Sequence, residues 1–383
     1  MRILLVGDYP RDARLGSTKV LVKLQEEFQR LGHTCDLLLA DDLGAFPRNG
    51  YLRQALGPVM AWSAVRRIFR DRGPYTVVDV ASAEGLWIAA LHRAGAFPGA
   101  VVIARSNGLE HFNYRRMLDD HDDGLLRKPW TRRLFHPAVR LTQVAAAARA
   151  ADRLLLLNDA DRAFALSRRW KRDTEIDVVA HGVSAVFVAN APSPDQPRGR
   201  GVLFCGSWTG VKGVSYLAEA FSRMVSAGAG VKLTVLGGGV PDAAILESFS
   251  PDARPRITIV GRVTEPDVMA AYRTHDVLVW PSTYEGFGMV VIEAMSQRLP
   301  VVATPVGCAR TLVAHGKTGL LVPPRDPAAL AAALTDILND RALRDRLADA
   351  AFAQVRDMTW TSTAKRTLAS YTRALERNGH GQP

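Results

Sequence analysis

The chain has 383 residues, which exceeds what one hydrophobic core usually organises, so the length predicts two domains of about 150–200 residues each. Apolar residues make up 48% and charged residues 23%, the balance of an ordinary soluble globular protein, and the absence of any run of 18 apolar residues excludes a typical membrane-spanning helix. The net charge of +11 indicates an anionic partner: a membrane face, a nucleic acid or phosphorylated substrates.

The first half of the chain alternates between strand and helix patterns. Apolar runs predict strands, and stretches with helical spacing of apolar residues predict helices. In chain order the predicted elements are a strand at 2–7, a helix at 17–32, strands at 34–40 and 75–80, a helix at 84–95, and strands at 101–105 and 153–157. This alternation predicts an α/β domain with a doubly wound parallel sheet over residues 1–189.

The N-terminus and the cysteines indicate the compartment. The chain enters a strand at once, without the layout of a signal peptide, and Cys35, Cys205 and Cys308 lack metal-ligand spacing. We therefore interpret them as reduced thiols and predict a cytoplasmic protein.

Residues 124–151 form a basic segment without acidic residues, in which arginines and a lysine alternate with leucines and aromatic residues. Such a segment could lie on an anionic membrane surface, with its cations at the headgroups. A solvated arginine-rich helix packed on its own domain is the equal alternative. No signature of a nucleic-acid-binding motif accompanies the charge, so we expect no nucleic-acid partner.

A polar, proline-rich stretch at 190–200 predicts an exposed linker, after which the strand pattern restarts. Further parallel strands are predicted at 201–206, 231–239, 256–261, 276–281 and 300–305. A second doubly wound domain is thus predicted over residues 201–359, followed by a helix at 360–376.

The most informative stretch is 281–307, which places Glu285 and Glu293 around a glycine-rich turn. Gly286 and Gly288 permit a tight turn and a close backbone approach to a ligand. A helix that starts at Met289 would present unpaired N–H groups and the positive end of its dipole, which favour a bound diphosphate. The two carboxylates suit sugar and ribose hydroxyl groups instead.

The E-x7-E spacing, the EGFG turn and the PVVAT-PVG run resemble the family 4 retaining glycosyltransferases of the GT-B fold. The resemblance implies two Rossmann-like domains facing each other across a cleft, with the final helix packing back on the first domain. It also implies that Glu285 contacts the donor sugar and Glu293 the ribose. The diphosphate would be held by the turn residues Gly286, Phe287, Gly288 and Met289.

The resemblance extends to other loops of the second domain. Lys212 would neutralise the departing diphosphate, and Ser207 stands where the family often has an arginine. Either the phosphates then depend more heavily on Lys212, or an arginine such as Arg262 helps. The glycines Gly237 and Gly238 would approach the donor, and the backbone of Val263 would meet the base.

In the first domain, Gly16 would lie near the diphosphate and Ser17 could cap the following helix. Asn107 replaces a histidine of the family's acceptor-side motif, whereas Glu110 fits that motif and would orient the acceptor or the loop. His181 replaces a family asparagine in a turn that we interpret as structural.

Asp159 and Asp161 mimic the metal-binding Asp-x-Asp of the other glycosyltransferase fold, but they follow a strand where aspartates favour a helix start. We therefore predict no metal and no other cofactor. The predicted function is retaining transfer of a hexose-type sugar from a UDP- or GDP-sugar to a hydroxyl of a glycan, a lipid-linked or a small-molecule acceptor. The alternative is a catalytically weak GT-B protein that binds nucleotide sugar or serves as a scaffold subunit.

Overall fold

The computed structural model describes residues 1–12, 15–45, 47, 49–122, 130–194 and 196–379, the side chains of 130–132 excepted. The chain divides into two compact units. Unit 1 contains the residues up to His181 and those from Trp360 onward, and unit 2 is Gly182–Thr359.

Unit 1 is built on a six-stranded parallel sheet in the order β2-β1-β3-β4-β5-β6. Its strands are β1 Arg2–Val6, β2 Thr34–Leu38, β3 Val77–Ala81, β4 Val101–Arg105, β5 Arg153–Leu156 and β6 Ile176–Val178. Its helices up to His181 are α1 Gly16–Arg30, α2 Ala40–Leu43, α3 Gly50–Arg72, α4 Gly85–Arg93, α5 Glu110–Asp122, α6 Trp130–Phe135, α7 Thr142–Ala150 and α8 Asp159–Ser167. Short 3₁₀ turns occur at Ser82–Glu84 and Asp173–Glu175, and a π-helical turn occurs at His136–Leu141.

Unit 2 repeats this plan with a second six-stranded parallel sheet, in the order β12-β11-β10-β7-β8-β9. Its strands are β7 Val202–Cys205, β8 Leu233–Leu236, β9 Ile257–Val260, β10 Val277–Trp280, β11 Val301–Ala303 and β12 Leu320–Leu321. Its helices are α9 Ala185–Ala189, α10 Val214–Ser226, α11 Asp242–Leu246, α12 Glu265–Thr274, α13 Met289–Ser296, α14 Ala309–Leu312, α15 Pro327–Asn339 and α16 Arg341–Val355, with 3₁₀ turns at Gly210–Lys212 and Arg254–Arg256. The last helix, α17 Trp360–Arg377, belongs to unit 1.

Both sheets are covered by helices, which explains why their strands are continuous apolar runs without alternation. In unit 1 every residue of β3 and β4 is buried, and in unit 2 every residue of β10 is buried. The predicted fold class, two doubly wound parallel sheets, is confirmed.

Helix α17 is attached to unit 1 by polar as well as apolar contacts. Phe28 of α1 packs on Tyr371, with ring centroids 5.8 Å apart. The Tyr371 hydroxyl donates to the buried carboxylate of Asp79, which also forms an ion pair with Arg105 at 2.5 Å. The Ser370 hydroxyl donates to Asp177 at 2.5 Å. These contacts make α17 part of the first unit although it follows the whole of the second in the chain.

Residues 190–200, which composition predicts as an exposed linker, lie in unit 2, and Arg198 is tied into it. Its Nη1 donates to the carbonyls of Tyr272 and His275 at 2.6 and 3.1 Å, and its Nη2 to those of Gln297 and Arg298 at 2.8 and 2.9 Å. Burial lowers the pKa of Arg198 to about 10, which leaves it charged at neutral pH. Arg198 therefore links the carboxyl ends of α12 and α13 by hydrogen bonds. The composition of residues 190–200 alone does not indicate this role.

Candidate functional site

The carboxyl ends of the unit 2 strands gather the predicted donor-site residues at one edge of the sheet. Because all six strands are parallel, the loops after β7, β8, β9, β10 and β11 start at this edge, where doubly wound sheets bind ligands. These loops and the start of α13 contain Ser207, Lys212, Gly237, Gly238, Arg262, Val263, Glu285, Gly286, Phe287, Gly288, Met289 and Glu293.

Three glycines with left-handed backbones allow the loops after β7, β10 and β11 to pack closely. A Cβ added to Gly213 (φ 69°) would lie less than 3.0 Å from the carbonyl oxygen of Pro281. At Gly288 (φ 94°) it would meet the ring of Trp280, and at Gly307 (φ 52°) the carbonyl oxygen of Phe287, both within the same limit. Glycine is required at these positions for both backbone and space.

Lys212 and Glu285, to which the sequence assigns separate roles, form one ion pair across two loops. The Ser282 hydroxyl donates to the same Glu285 oxygen, Oε1, at 3.1 Å. The Glu285 side chain is 12% exposed and that of Lys212 is 27% exposed, so the pair is partly shielded from water but reachable from the surface. A carboxylate that accepts hydroxyl groups thus lies directly beside a cation that can bind phosphate.

Glu293 points from α13 into a buried contact with α12. Its side chain is 5% exposed, and the Tyr272 hydroxyl donates to its Oε2 at 3.1 Å. Burial, together with the Cys205 thiol and the Glu293 carboxylate, raises the pKa of Tyr272 far above its ordinary value. Tyr272 therefore remains a protonated donor.

The loops after β7, β8 and β9 are held together by backbone hydrogen bonds. Gly237 (φ 85°) donates to the Val260 carbonyl at 2.9 Å, and Trp208 donates to the Gly238 carbonyl at 2.7 Å. The side chain of Arg262 is exposed, next to Gly239.

In unit 1, Gly16 and Ser17 begin α1, but not as expected. Leu15 is the residue that precedes the helix, and it makes no side-chain cap, whereas Ser17 lies inside the first turn. The predicted capping role of Ser17 is therefore wrong. Space around Gly16 is open, so no packing contact requires glycine there.

Asn107 and Glu110 lie at the carboxyl edge of the unit 1 sheet, after β4. The Asn107 amide donates to the hydroxyl of half-buried Tyr9 at 3.3 Å. Arg140 Nε donates to Glu110 Oε2 at 3.0 Å, and the Ser82 hydroxyl also donates to the Glu110 carboxylate. Burial acts to raise the pKa of Glu110, but Arg140 and Ser82 outweigh it and lower this pKa below its usual value.

Arg140, Ser82 and Glu84 are residues of this cluster that sequence reasoning missed. Arg140 also pairs with buried Glu84, from Nη1 to Oε1 at 2.6 Å, and burial raises the pKa of Glu84. Ser82 has a left-handed backbone, φ 55°, and Arg140 lies in the π-helical turn, two features common at functional sites. The sequence carries no local signal of either.

The basic segment 124–151 is only partly described, since 123–129 lie outside the described residues along with the side chain of Arg132. Arg140 does not face solvent as a membrane-surface arginine would, because it is paired with two carboxylates. Helix α7 buries Val144 and Ala148 in the core of unit 1. The second half of the segment is therefore packed on its own domain, in agreement with the second of the two alternatives.

Structural positions are occupied by the three residues to which the sequence analysis gave no part in the site: Asp159, Asp161 and His181. Asp159 and Asp161 lie in the first turn of α8, where the Asn158 side chain accepts from the Asp161 N–H at 2.9 Å. His181 is buried against Trp360, and its pKa is lowered to about 3 by burial and by the charge of Arg105. Across the part of the chain that the structure describes, no three His, Cys, Asp or Glu side chains could jointly hold a metal ion, and no helix could span a bilayer.

Residues 199–340 match the family of glycosyl transferases group 1. Unit 2 thus carries a domain of this family, which confirms at that level the resemblance predicted from 281–307.

Curated relatives match about half of the chain. A phosphatidyl-myo-inositol mannosyltransferase of Mycobacterium leprae is 33% identical over 213 residues, 54% of this chain and 56% of that protein. The chain spans about half the length of the curated relatives it matches.

Solved structures match nearly the whole chain. Sucrose-phosphate synthase from Thermosynechococcus elongatus has a TM-score of 0.77 and 22% identity, and covers 98% of this chain and 99% of its own. Anabaena HepE in complex with UDP and glucose has a TM-score of 0.71 and 16% identity, with 97% and 100% covered. These likenesses establish the GT-B type of fold.

Proposed function

We propose that this protein is a retaining glycosyltransferase that moves a hexose-type sugar from a UDP- or GDP-sugar to a hydroxyl of a glycan, a lipid-linked or a small-molecule acceptor. The observation that carries the proposal is the Lys212–Glu285 ion pair beside the glycine turn that opens α13, within a glycosyl transferases group 1 domain. A mannosyltransferase among the relatives and a complex with UDP and glucose among the solved structures support the choice of donor.

In this proposal the diphosphate binds at the amino end of α13. The first N–H groups of a helix have no partner within it, and the dipole adds positive potential there. Lys212 contributes a point charge on the other side. Glu285 would then exchange its ion pair for the hydroxyl groups of the donor sugar, so ligand binding releases Lys212 to the phosphates.

Transfer proceeds by displacement on one face of the sugar. The bond between the anomeric carbon and the diphosphate oxygen breaks, a bond to the acceptor oxygen forms, and the acceptor's proton passes to the departing diphosphate. The protein positions the two substrates, and Lys212 and the amino end of α13 stabilise the negative charge of the departing diphosphate. In other enzymes a metal ion neutralises that charge. We therefore propose that transfer requires no metal.

The cluster at the carboxyl edge of the unit 1 sheet is the proposed acceptor side. Arg140 and Ser82 keep Glu110 ionised and fixed, and an ionised carboxylate is a good acceptor for a sugar hydroxyl. Asn107 would add an amide donor or acceptor.

The test is donor binding and turnover by the purified chain with UDP- and GDP-sugars. Lys212→Ala should lower kcat by about 10²-fold, the effect of removing one preorganised charge-stabilising group, with every acceptor. Glu285→Gln should lower transfer similarly while nucleotide diphosphate still binds. Glu219→Gln, which breaks the exposed Glu219–Arg223 pair on α10, is the matched control and should leave both unchanged.

Unaltered kinetics in both site variants would contradict the assignment. If the unmodified protein binds nucleotide sugar but neither transfers the sugar nor hydrolyses the donor, the binding or scaffold alternative is supported. Asn107 and Ser207, which replace a histidine and an arginine of the family, favour this alternative.

We also propose that the protein rests on the cytoplasmic face of an anionic membrane, through the described start of the segment 124–151 and the adjoining face of α3. Leu134 is 63% exposed, and Leu52, Leu56 and Val59 form an exposed apolar row on α3. The two helices adjoin where the rings of Tyr51 and Phe135 meet at 4.8 Å. Exposed leucines on a basic protein suit a lipid interface.

Liposome flotation tests this membrane surface. Vesicles with anionic lipid should carry the protein up the gradient and neutral vesicles should not. Leu52→Asp combined with Leu56→Asp should abolish flotation, whereas Val240→Asp, at an exposed valine of unit 2, should not. Equal flotation of both variants would refute the surface.

A further inference from the structure

Tyr272 is a fully buried tyrosine whose hydroxyl reaches a residue of the proposed donor site. Its side chain has no solvent exposure, and its Oη donates to Glu293 Oε2 at 3.1 Å. Tyr272 lies on α12 and Glu293 on α13, so the hydrogen bond joins neighbouring helices.

The helices that carry the two residues are fixed relative to each other. Arg198 donates to carbonyls at the carboxyl ends of both α12 and α13, including that of Tyr272 itself. One residue further along α12, Arg273 Nε donates to Gln297 Oε1 at 2.8 Å. The tyrosine hydroxyl therefore stands at a set position against the carboxylate.

Core packing alone does not account for a tyrosine here. Phenylalanine would supply the same ring, which packs against Phe187 at 6.3 Å, without the cost of burying a hydroxyl. What the hydroxyl adds is one hydrogen bond to Oε2, which fixes the rotation of the Glu293 carboxyl group. A carboxylate has about four acceptor positions on its two oxygens, and the bond from Tyr272 uses one of them, on Oε2.

We propose that Tyr272 is a positioning residue that orients the Glu293 carboxylate toward the two adjacent hydroxyl groups of the nucleotide ribose. The inference rests on the proposed function, since Glu293 is there the ribose-binding residue. A carboxylate with a fixed plane meets a vicinal diol with both oxygens, whereas a rotating one must lose that freedom on binding.

The experiment measures binding by titration calorimetry with two pairs of probes: UDP and GDP, and their 2′,3′-dideoxy forms. Tyr272→Phe should weaken binding of the preferred diphosphate by about threefold to tenfold, because the freed carboxyl group must then be immobilised when the ribose binds. Binding of the dideoxy form should not change, because the hydroxyl groups that Glu293 would accept are absent. In turnover, the KM for the donor should rise while kcat stays nearly constant.

Tyr371→Phe is the matched control. It removes an equally buried tyrosine hydroxyl that donates to a carboxylate, Asp79, but in unit 1. It should lower thermal stability without altering nucleotide affinity. Combining Tyr272→Phe with Glu293→Gln should add no further loss of affinity beyond that of Glu293→Gln alone.

The outcomes separate the two proposals. If the unmodified protein binds neither UDP nor GDP, the proposed function fails and the role of Tyr272 fails with it. If it binds one of them and Tyr272→Phe either binds equally well or loses the same factor for the ribose and dideoxy forms, the function stands and the positioning role is refuted.

Discussion

Gly213 and Gly228 share a left-handed backbone but differ in what surrounds them. Gly213 has φ 69° and touches the carbonyl of Pro281, while Gly228 has φ 87° and nothing within 4 Å of an added Cβ. Comparison of the two positions separates the backbone cost of a side chain from the cost of a collision.

We expect Gly228→Ala to lower the free energy of unfolding by about 1–2 kcal/mol, the cost of a left-handed alanine. Gly213→Ala should lower it by more, and should also weaken nucleotide diphosphate binding, because the loop that carries Lys212 must move away from Pro281. Urea unfolding and calorimetric titration check both effects. Equal losses in the two variants would show that the contact with Pro281 carries no energy.

At the residue scale, the sequence placed the proposed donor-site side chains in loops that follow the unit 2 strands, but it did not show which of them pair. Glu285 and Lys212 are 73 positions apart, and only the packing of two loops through Gly213 brings them into one ion pair. The same is true of Arg140, whose two carboxylate partners lie on other elements. A basic pattern along the chain cannot distinguish such an arginine from a solvated one.

Helix α17 is attached to unit 1 at the buried ion pair between Asp79 and Arg105. Removing Arg105 and removing the Tyr371 hydroxyl should have different effects on the Asp79 carboxylate. The Asp79 carboxylate accepts from both Arg105 and Tyr371. A buried carboxylate that keeps its guanidinium is still compensated, whereas one that loses it is not.

Arg105→Met should therefore destabilise the protein by about 3–5 kcal/mol, because it leaves Asp79 charged and buried. Tyr371→Phe should cost only about 1–2 kcal/mol, the effect of one lost hydrogen bond. Chemical denaturation with both variants measures the difference. A Tyr371→Phe loss as large as that of Arg105→Met would contradict the ranking.

At the element scale, buried strands were the easiest features to predict, because parallel strands covered on both faces are continuous apolar runs. Helix α3 was not predicted. It contains Pro58 and exposes Leu52 and Leu56, so its sequence lacks both an uninterrupted helical stretch and a clear polar face. Tertiary contacts, with the Asn49 side chain capping its first turn, hold it as a helix.

The stability of the whole molecule should depend on pH through His181. Burial and the charge of Arg105 lower its pKa to about 3 in the folded chain, against about 6.5 for a free histidine. Between those values the unfolded chain binds a proton that the folded chain does not, so stability is complete above pH 6.5 and falls as the pH decreases.

His181→Gln should reduce the slope of unfolding free energy against pH by about 1.4 kcal/mol per pH unit, one proton's worth, between pH 6 and pH 5. Urea titrations at these pH values compare the variant with the unmodified protein. Parallel slopes would mean that the imidazole is already protonated, or exposed, in the folded state.

For the whole molecule, length and the repeated strand pattern predicted two sheets, but composition misplaced the point where the chain passes between units. The proline-rich stretch 190–200 resembles a linker because its residues are polar, yet Arg198 finds four carbonyl partners within unit 2. The composition of one segment gives no information about hydrogen-bond partners elsewhere in the chain, and the partners of Arg198 lie more than 70 residues away.

Because α17 belongs to unit 1, the two units obtain the last residues of their folds at different points of the chain. Unit 2 starts and finishes at neighbouring points, where the Val183 amide meets the Met358 carbonyl at 2.8 Å, so all of its contacts are available once Thr359 has emerged. Unit 1 is translated first but lacks the tyrosine and serine hydroxyls that complete Asp79 and Asp177 until the later segment appears. Unit 1, although it is made first, should therefore complete its contacts last, and a shortened chain that ends at Thr359 should be protease-sensitive in unit 1 and resistant in unit 2.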